Sequence, residues 1–307
     1  MSPRRVFLFA SLLALAGCSA PPVEEWDAGV DAGLEPLPVR IGTFNTRLFF
    51  DTVCQSGQCA AGDFEQVPTQ AEFDARADAV AGVLRDLSLD VAVLQEVETQ
   101  AGLDALSTRL SDVFDSAVLG DIGTAGSVDV AVLARGDLEQ VVLHRDRTPL
   151  FRPDGSRTVF AREFLEVHLR LGDVPVIVFA AHFRSKAQDD PGRRLAEAQA
   201  ARDLVTRAAA AAPGVLTVLA GDLNDVPGSP PLEALEANGG LVRVAKDLPQ
   251  ADQATYVFNG NGEAIDHLLE ATTPPRYVPA SAVVERVPRS ESTSDHWPLR
   301  ATFLVPR

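Results

Sequence analysis

Short apolar runs recur along the chain, and each stops at a polar residue. Val39-Arg40-Ile41-Gly42-Thr43-Phe44 alternates with period two and ends at Asn45, the pattern of a β-strand. From Pro68 to Leu87 the period changes. Phe73, Ala77, Val80, Val83, Leu84 and Leu87 share one helical face, with Pro68-Thr69 as the start. Val91-Ala92-Val93-Leu94 reads as a buried strand running into Gln95-Glu96, and Thr99 opens a helix that carries Leu103, Leu106 and Leu110 on one side. Further strands are predicted over Val128 to Ala134, Ala264 to Leu269 and Leu299 to Val305, and a hairpin joins Arg162 to Leu169 with Val174 to Ala181 through Gly172-Asp173. An alanine-rich helix over Arg194 to Ala212 stops at Pro213-Gly214, before a β-branched and aliphatic run from Val215 to Ala220. Strands and helices alternate, yet several strands follow one another directly, so the pattern fits an α/β (α+β) fold with mixed sheets. With neither an internal repeat nor a second linker, residues 39–307 read as one domain.

The strand ends carry the chemistry. They are Phe44-Asn45, Leu94-Gln95-Glu96, Ala181-His182-Phe183-Arg184-Ser185-Lys186, Gly221-Asp222-Leu223-Asn224, Ile265-Asp266-His267 and Ser294-Asp295-His296. A single Gly-Asp-x-Asn turn serves as well to satisfy local backbone amides. Six polar endings in one domain point instead to a shared pocket, because sites in layered α/β folds form at strand ends. Carboxylate and amide oxygens suit a hard cation such as Mg²⁺, with Mn²⁺ or Ca²⁺ as alternatives, while His182 and His296 supply groups that titrate near neutrality. His267 should face away from Asp266 on its strand and be structural. His144 and His168 carry no motif and read as surface or packing residues.

Charge narrows the partners. Against 43 Asp+Glu the 27 Lys+Arg leave −16, the wrong sign for holding nucleic acid over the whole surface. A polyanion must then be met by a local basic rim or through a bound cation.

The first residues change the picture of location. Arg4-Arg5, the apolar run Val6 to Ala16 and Leu15-Ala16-Gly17-Cys18 resemble a bacterial lipoprotein signal, residues 1–17, with Cys18 as the lipidated first residue of the mature chain. An uncleaved anchor or a plain secretory signal is the alternative. Ser19 after the cysteine favours the outer membrane, in a cell that has one. Residues 18–38, rich in Pro, Ala, Gly and acid, cannot bury enough apolar area to order themselves and read as a tether. The remaining pair, Cys54 and Cys59, flanks a glycine in an exported chain and reads as a small-loop disulfide. Free thiols or half a metal site are the alternatives, but no further cysteine or nearby histidine completes a zinc set.

In their order, F-N, L-Q-E-V-E, A-H-F-R-S-K, G-D-L-N-D, I-D-H and S-D-H-W-P resemble the endonuclease/exonuclease/phosphatase (DNase I-like) superfamily over Arg40 to Phe303. The resemblance implies a four-layer α/β/β/α sandwich of two mixed sheets and Mg²⁺-dependent cleavage of phosphoester bonds. It implies Glu96 as principal metal ligand with Asn45 and Asp295 near it, and Asp222 and Asn224 orienting the attacking water or stabilising the transition state. It also implies His296, propped by Asp266, as base or phosphate-binding imidazole, and His182 facing the leaving oxygen. Arg47 and Arg162 resemble phosphate-contacting arginines; Arg184 and Lys186, followed by Arg193-Arg194, add positive charge nearby. Abasic-site enzymes carry an acid where Arg47 stands and an aromatic where His182 stands, so the chain leans toward the DNase I and sphingomyelinase side. Asp129 is a candidate to orient His182.

The H-F-R-S-K stretch and Tyr256-Val257-Phe258-Asn259-Gly260 look like secreted and surface bacterial nucleases, with Tyr256 and Phe258 expected to pack in the sheet and stacking on bases as the alternative. The leading expectation is a monomeric phosphodiesterase acting on DNA, with RNA as a further candidate, in the cell envelope or outside the cell. A phospholipase C or sphingomyelinase-like enzyme, or an inositol-phosphate phosphoesterase, is the runner-up, although no apolar insert of a membrane-acting member is visible. A non-catalytic surface binding lipoprotein would have lost some polar strand ends, and none is lost.

Overall fold

Period-two alternation gives every strand two faces, and in the computed structural model the central strands are covered on both. It describes residues 34–307; the expected signal segment, Cys18 and the tether as far as residue 33 lie outside the described residues. β1 (Leu37–Phe49) begins before Val39 and continues past Asn45. Thr69 and Glu72 form a reciprocal capping box that starts α1 (Gln70–Leu87), satisfying donors that the first helical turn leaves open. β2 (Val91–Val97), α2 (Gln100–Arg109), β3 (Ser116–Gly120), β4 (Asp129–Ala134) and β5 (Asp137–Leu143) follow. A small hairpin, β6 (Leu150–Phe151) and β7 (Arg157–Thr158), precedes β8 (Leu165–Leu171) and β9 (Val174–His182), the latter two paired antiparallel as predicted. α3 (Pro191–Ala211) starts earlier than Arg194 because the Asp190 side chain accepts from Arg193 N and caps it. Then come β10 (Leu216–Asp222), α4 (Pro230–Glu236), β11 (Val242–Arg243), the hairpin β12 (Tyr256–Phe258) and β13 (Asn261–Glu263), and β14 (Asp266–Glu270). β15 (Val283–Val284), α5 (Pro288–Thr293) and β16 (Leu299–Val305) close the chain.

Two six-stranded sheets result, ordered β15-β16-β1-β2-β4-β3 and β11-β14-β10-β9-β8-β5. Each contains one parallel pair, β1 with β2 and β9 with β10, among antiparallel neighbours. Val39 and Ile41 of β1 pack with Val176, Val178, Val218 and Ala220 between the sheets. Phe44, Leu94 and Ala92 point the other way, onto α1 and α2. Phe179, Ile177 and Leu219 point outward onto α3 and α4. The order is therefore helices, sheet, sheet, helices: the four-layer sandwich. β3 and β5 are edge strands that periodicity did not reveal; all but one residue of β5 is exposed, so its pattern carries no buried stripe.

Cys54 and Cys59 are disulfide-bonded in the loop after β1. Among the described residues no helix is long and apolar enough to cross a membrane.

Gly221 decides how closely β10 lies on β9. Its φ is +153°, and a Cβ there would fall 1.9 Å from the Ala181 carbonyl oxygen. Gly221→Ala is expected to cost about 3 kcal/mol or more, as overpacking against backbone does. A domain of this size would then melt roughly 6–12 °C lower. An unchanged calorimetric melting temperature would show that the strands have room to part.

Candidate active site

Asn45 and Glu96 end the parallel pair of one sheet, His182 and Asp222 that of the other, and these ends meet. Asn45 Nδ2 donates to Glu96 Oε1 (3.1 Å) and, across the sheet interface, to Asp222 Oδ2 (3.1 Å). Within the second sheet Asp222 pairs with His182 on one side and Asp266 on the other, so register alone brings three of the expected residues side by side.

The backbone is strained where it serves the site. Arg47 (φ +55°), Leu48 (+48°), Glu96 (+65°) and Asn224 (+54°) are non-glycine residues in the left-handed region, each costing of order 1 kcal/mol or more. Irregular register in β1·β2 and β2·β4 marks a bulge at Glu96, which re-aims its side chain. Specific bonds hold these conformations. Leu48 N–H donates to Glu96 Oε2 (2.7 Å), Thr46 Oγ1–H to the Gln95 carbonyl (2.8 Å), and Asn224 N–H to Asp222 Oδ1 (2.9 Å).

Asp266 Oδ2 accepts from His296 Nδ1 at 2.8 Å, which directs the other ring nitrogen away from the carboxylate. His296 N–H also donates to Ser294 Oγ (3.0 Å), whose hydroxyl donates to the Asn45 carbonyl (2.8 Å). Tyr256 packs on the His296 ring with centroids 4.8 Å apart.

Burial alone would lower the pKa of His296, but the charge and hydrogen bond of Asp266, aided by Asp222 and Asp295, push it up to about 10. His182 goes the other way: burial, with the charges of Arg162 and His296, holds it well below the ordinary imidazole value. Its Nε2 lies 3.7 Å from Asp222 Oδ2. Burial and the neighbouring Asp266 raise the Asp222 carboxyl above its usual range. Two imidazoles driven to opposite protonation states beside a buried carboxyl are the makings of acid–base chemistry.

These groups line a cavity of about 530 Å³ that takes in Glu96, His182, Asp222, Asn224, Asp295 and His296, with Arg47 and Lys186 also on its wall. Leu48, Ala187, Tyr256, Phe258 and Ile265 give the lining an apolar part, and Ser185 and Glu263 complete it. Glu96 and Asp295 present carboxylates to this space, an oxygen-only donor set that fits a hard divalent cation. Ligand atoms of Asp222, Asp266 and His296 also lie within 4.8 Å of one another, and His296 Nδ1 is bonded to Asp266 Oδ2 within this trio.

Asn45 is buried as the bridge between Glu96 and Asp222, its Oδ1 accepting from Arg47 N–H (2.9 Å). Arg47 faces the cavity 3.5 Å from Asp295. Arg162 and Arg184 do not line it; Arg162 Nε is tied to the Val128 carbonyl and is half-buried. Arg194 is buried against Asp225 (2.9 Å) and Asp189 (2.8 Å), so it adds no charge to the rim. Asp129 Oδ2 accepts from Ser127, and among the described residues no hydrogen bond reaches His182 Nδ1 or Asp129 Oδ1, so the expected pairing is not made. His267 is structural as expected, bonded to the Asp225 carbonyl (2.9 Å). His144 and His168 are more than packing: each bonds one oxygen of Glu166 at 2.7 Å. Tyr256 and Phe258 do not pack in a main sheet; they belong to the β12–β13 hairpin and wall the cavity.

Sequence reasoning missed Glu197 and Arg76. Glu197, fully buried on α3, accepts from Ala161 N–H (2.6 Å) and Arg184 N–H (2.8 Å), pinning both arginine-bearing loops. Its position within an alanine-rich helix gave no signal.

Residues 42–296 match the family model described as Endonuclease/Exonuclease/phosphatase family. The chain belongs to that family. No curated protein sequence matches it significantly. Among solved structures, TDP2 of D. rerio complexed with single-strand DNA product superposes with a TM-score of 0.58 at 17% identity, covering 87% of this chain and 98% of that one. The human Nocturnin catalytic domain with bound sulfate gives 0.62 at 15%, covering 88% and 96%. Sphingomyelinase C from Streptomyces griseocarneus gives 0.58 at 18%, covering 87% and 99%. At such identities these likenesses speak for the fold alone. Endonuclease/exonuclease/phosphatase proteins are phosphoester hydrolases and generally depend on a divalent metal, consistent with the carboxylates of Glu96 and Asp295 at the cavity wall.

Proposed function

We propose that this protein is a metal-dependent phosphodiesterase that cleaves nucleic acid, DNA first and RNA second, outside the cytoplasm. The observation that carries the reading is one cavity in which the Glu96 and Asp295 carboxylates, oppositely protonated His182 and His296, and the aromatic wall of Tyr256 and Phe258 face each other. A phosphodiester needs polar groups at phosphorus and space for a substituent beside it. The aromatic wall offers a stacking surface for a base, which inositol phosphates do not require.

In this reading the protonated His296, held by Asp266, binds a phosphoryl oxygen. Asp222, raised by burial and positioned by Asn45, takes the proton of an attacking water beside Asn224. Neutral His182 donates its N–H toward the leaving oxygen. A divalent cation held by Glu96 and Asp295 would neutralise charge on the phosphate. Arg47, 3.5 Å from Asp295, and Lys186, 3.4 Å from Glu263, are the cationic side chains at the wall, and a phosphate would compete with those acids for them, so affinity should fall with salt. The exported location rests on the sequence around Cys18.

A second reading, hydrolysis of phospholipid head groups, has one observation in its favour. Val257 and Phe258, on the hairpin at the cavity wall, are 44% and 54% exposed. Purified protein incubated with plasmid DNA, single-stranded DNA, RNA, sphingomyelin vesicles and inositol phosphates, in Mg²⁺, Mn²⁺, Ca²⁺ or EDTA, separates the two. Nucleic-acid cleavage abolished by EDTA is expected. Turnover of sphingomyelin alone would reverse the assignment, and activity undiminished in EDTA would remove the metal.

A further inference from the structure

We propose that Arg76 is a positioning residue that orients the Glu96 carboxylate for the cation, an inference that rests on Glu96 being a metal ligand. Arg76 lies on α1, outside the wall of the catalytic cavity, and opens on an adjoining hollow of about 470 Å³ that shares Arg47 and Leu48 with it. Its Nη2 donates to two consecutive carbonyls, Thr46 O and Arg47 O (3.1 Å).

Those carbonyls belong to the turn in which Arg47 and Leu48 are both left-handed, at φ +55° and +48°. Its amide groups serve the site: Arg47 N–H donates to Asn45 Oδ1 (2.9 Å) and Leu48 N–H to Glu96 Oε2 (2.7 Å). One guanidinium therefore grips the carbonyl side of a strained turn whose N–H side cradles the cation-binding carboxylate and its amide bridge. Successive N–H groups in a turn can hold an anion, and here one of the two meets the Glu96 carboxylate and the other the Asn45 amide oxygen. Without the grip, two unfavourable φ angles lose their restraint, and the Leu48 N–H no longer fixes which lone pairs of Glu96 face the cavity. Both bonds leave the one Nη2, whose two hydrogens are fixed in the guanidinium plane, whereas the three hydrogens of an ammonium rotate freely.

The test is Mn²⁺ titration by isothermal calorimetry on the whole protein without substrate, for wild type, Arg76→Ala, Arg76→Lys and Glu96→Gln, with thermal melts alongside. Arg76→Ala should weaken Mn²⁺ roughly 10–100-fold, the range for losing a residue that orients a metal ligand. Millimolar methylguanidinium, admitted through the adjoining hollow, should restore part of that affinity in Arg76→Ala and none in Glu96→Gln. Wild-type Mn²⁺ affinity in Arg76→Ala, with Glu96→Gln unable to bind, overturns the role of Arg76 alone. Wild-type affinity in Glu96→Gln overturns the metal-ligand reading beneath it. Should Arg76→Ala fail to fold, Arg76→Lys decides: about tenfold weaker binding supports the positioning role, and unchanged binding refutes it.

Discussion

Glu96→Gln is expected to lower kcat/KM about 1,000-fold while the protein stays folded, at about 1.4 kcal/mol of transition-state stabilisation per tenfold. The loss has two sources. The carboxylate charge that would hold the cation disappears, and the new amide meets donors on both sides. Oε1 accepts from Asn45 Nδ2 and Oε2 from Leu48 N–H, so one of these donors must face the NH₂ group. Glu96 is only half-buried, and its left-handed φ is as available to glutamine as to glutamate, so the melting temperature should move by a few degrees at most. Steady-state hydrolysis of the best substrate, with calorimetric melting of the same preparation, checks both halves. Activity within tenfold of wild type would show that Glu96 holds nothing the reaction needs.

Asp266→Asn should lose roughly 10²–10⁴ in kcat and move the alkaline limb of the pH profile to lower pH. In the wild type burial pulls the His296 pKa down, and the Asp266 carboxylate, with Asp222 and Asp295, reverses this and raises it to about 10. His296 is then charged through neutrality. An amide at 266 removes the main reversing charge and offers a donor where Nδ1 needs an acceptor; burial then prevails and the imidazole discharges at or below neutral pH. A cation beside Asp295 lowers both limbs but leaves their order unchanged.

The stability linkage has a definite sign. A histidine raised above its unfolded value of about 6.5 contributes stability that is fully present below that pH and lost as pH rises through its folded pKa. Wild type should lose stability between about pH 6.5 and 10, and Asp266→Asn should lose less over the same window. Coincident alkaline limbs in the two proteins would mean that another group sets the profile.

Much of this molecule was legible beforehand because both faces of its central strands are buried. A strand covered on two sides shows as a continuous apolar run, and the residue that ends it stands out: Asn45 after Phe44, Glu96 after Leu94, Asp222 after Gly221. The first helix was legible through its start at Pro68-Thr69 and the spacing of Phe73, Ala77, Val80 and Leu84. Edge strand β5 was not, because solvent covers it and no stripe of apolar residues is required.

What one sequence could not show is which polar groups spend their charge on each other. Arg194 looked like Arg47 in a list of basic residues, yet only Arg47 faces the cavity while Arg194 is consumed by Asp225 and Asp189. Asp129 looked available to His182, yet its Oδ2 accepts from Ser127 and no hydrogen bond joins the two. Arg76, Ser294 and Glu197 act through backbone carbonyls and amides far away in sequence, pairings that leave no periodic trace. The linear chain determined the elements and the residues that end them, because burial pattern and capping are local in sequence. Only the packing of one sheet on the other decided which ends share a cavity, how His182 and His296 came to hold opposite charge states, and which arginines remain to meet a phosphate, because hydrogen bonds and desolvation depend on distances the chain order does not contain.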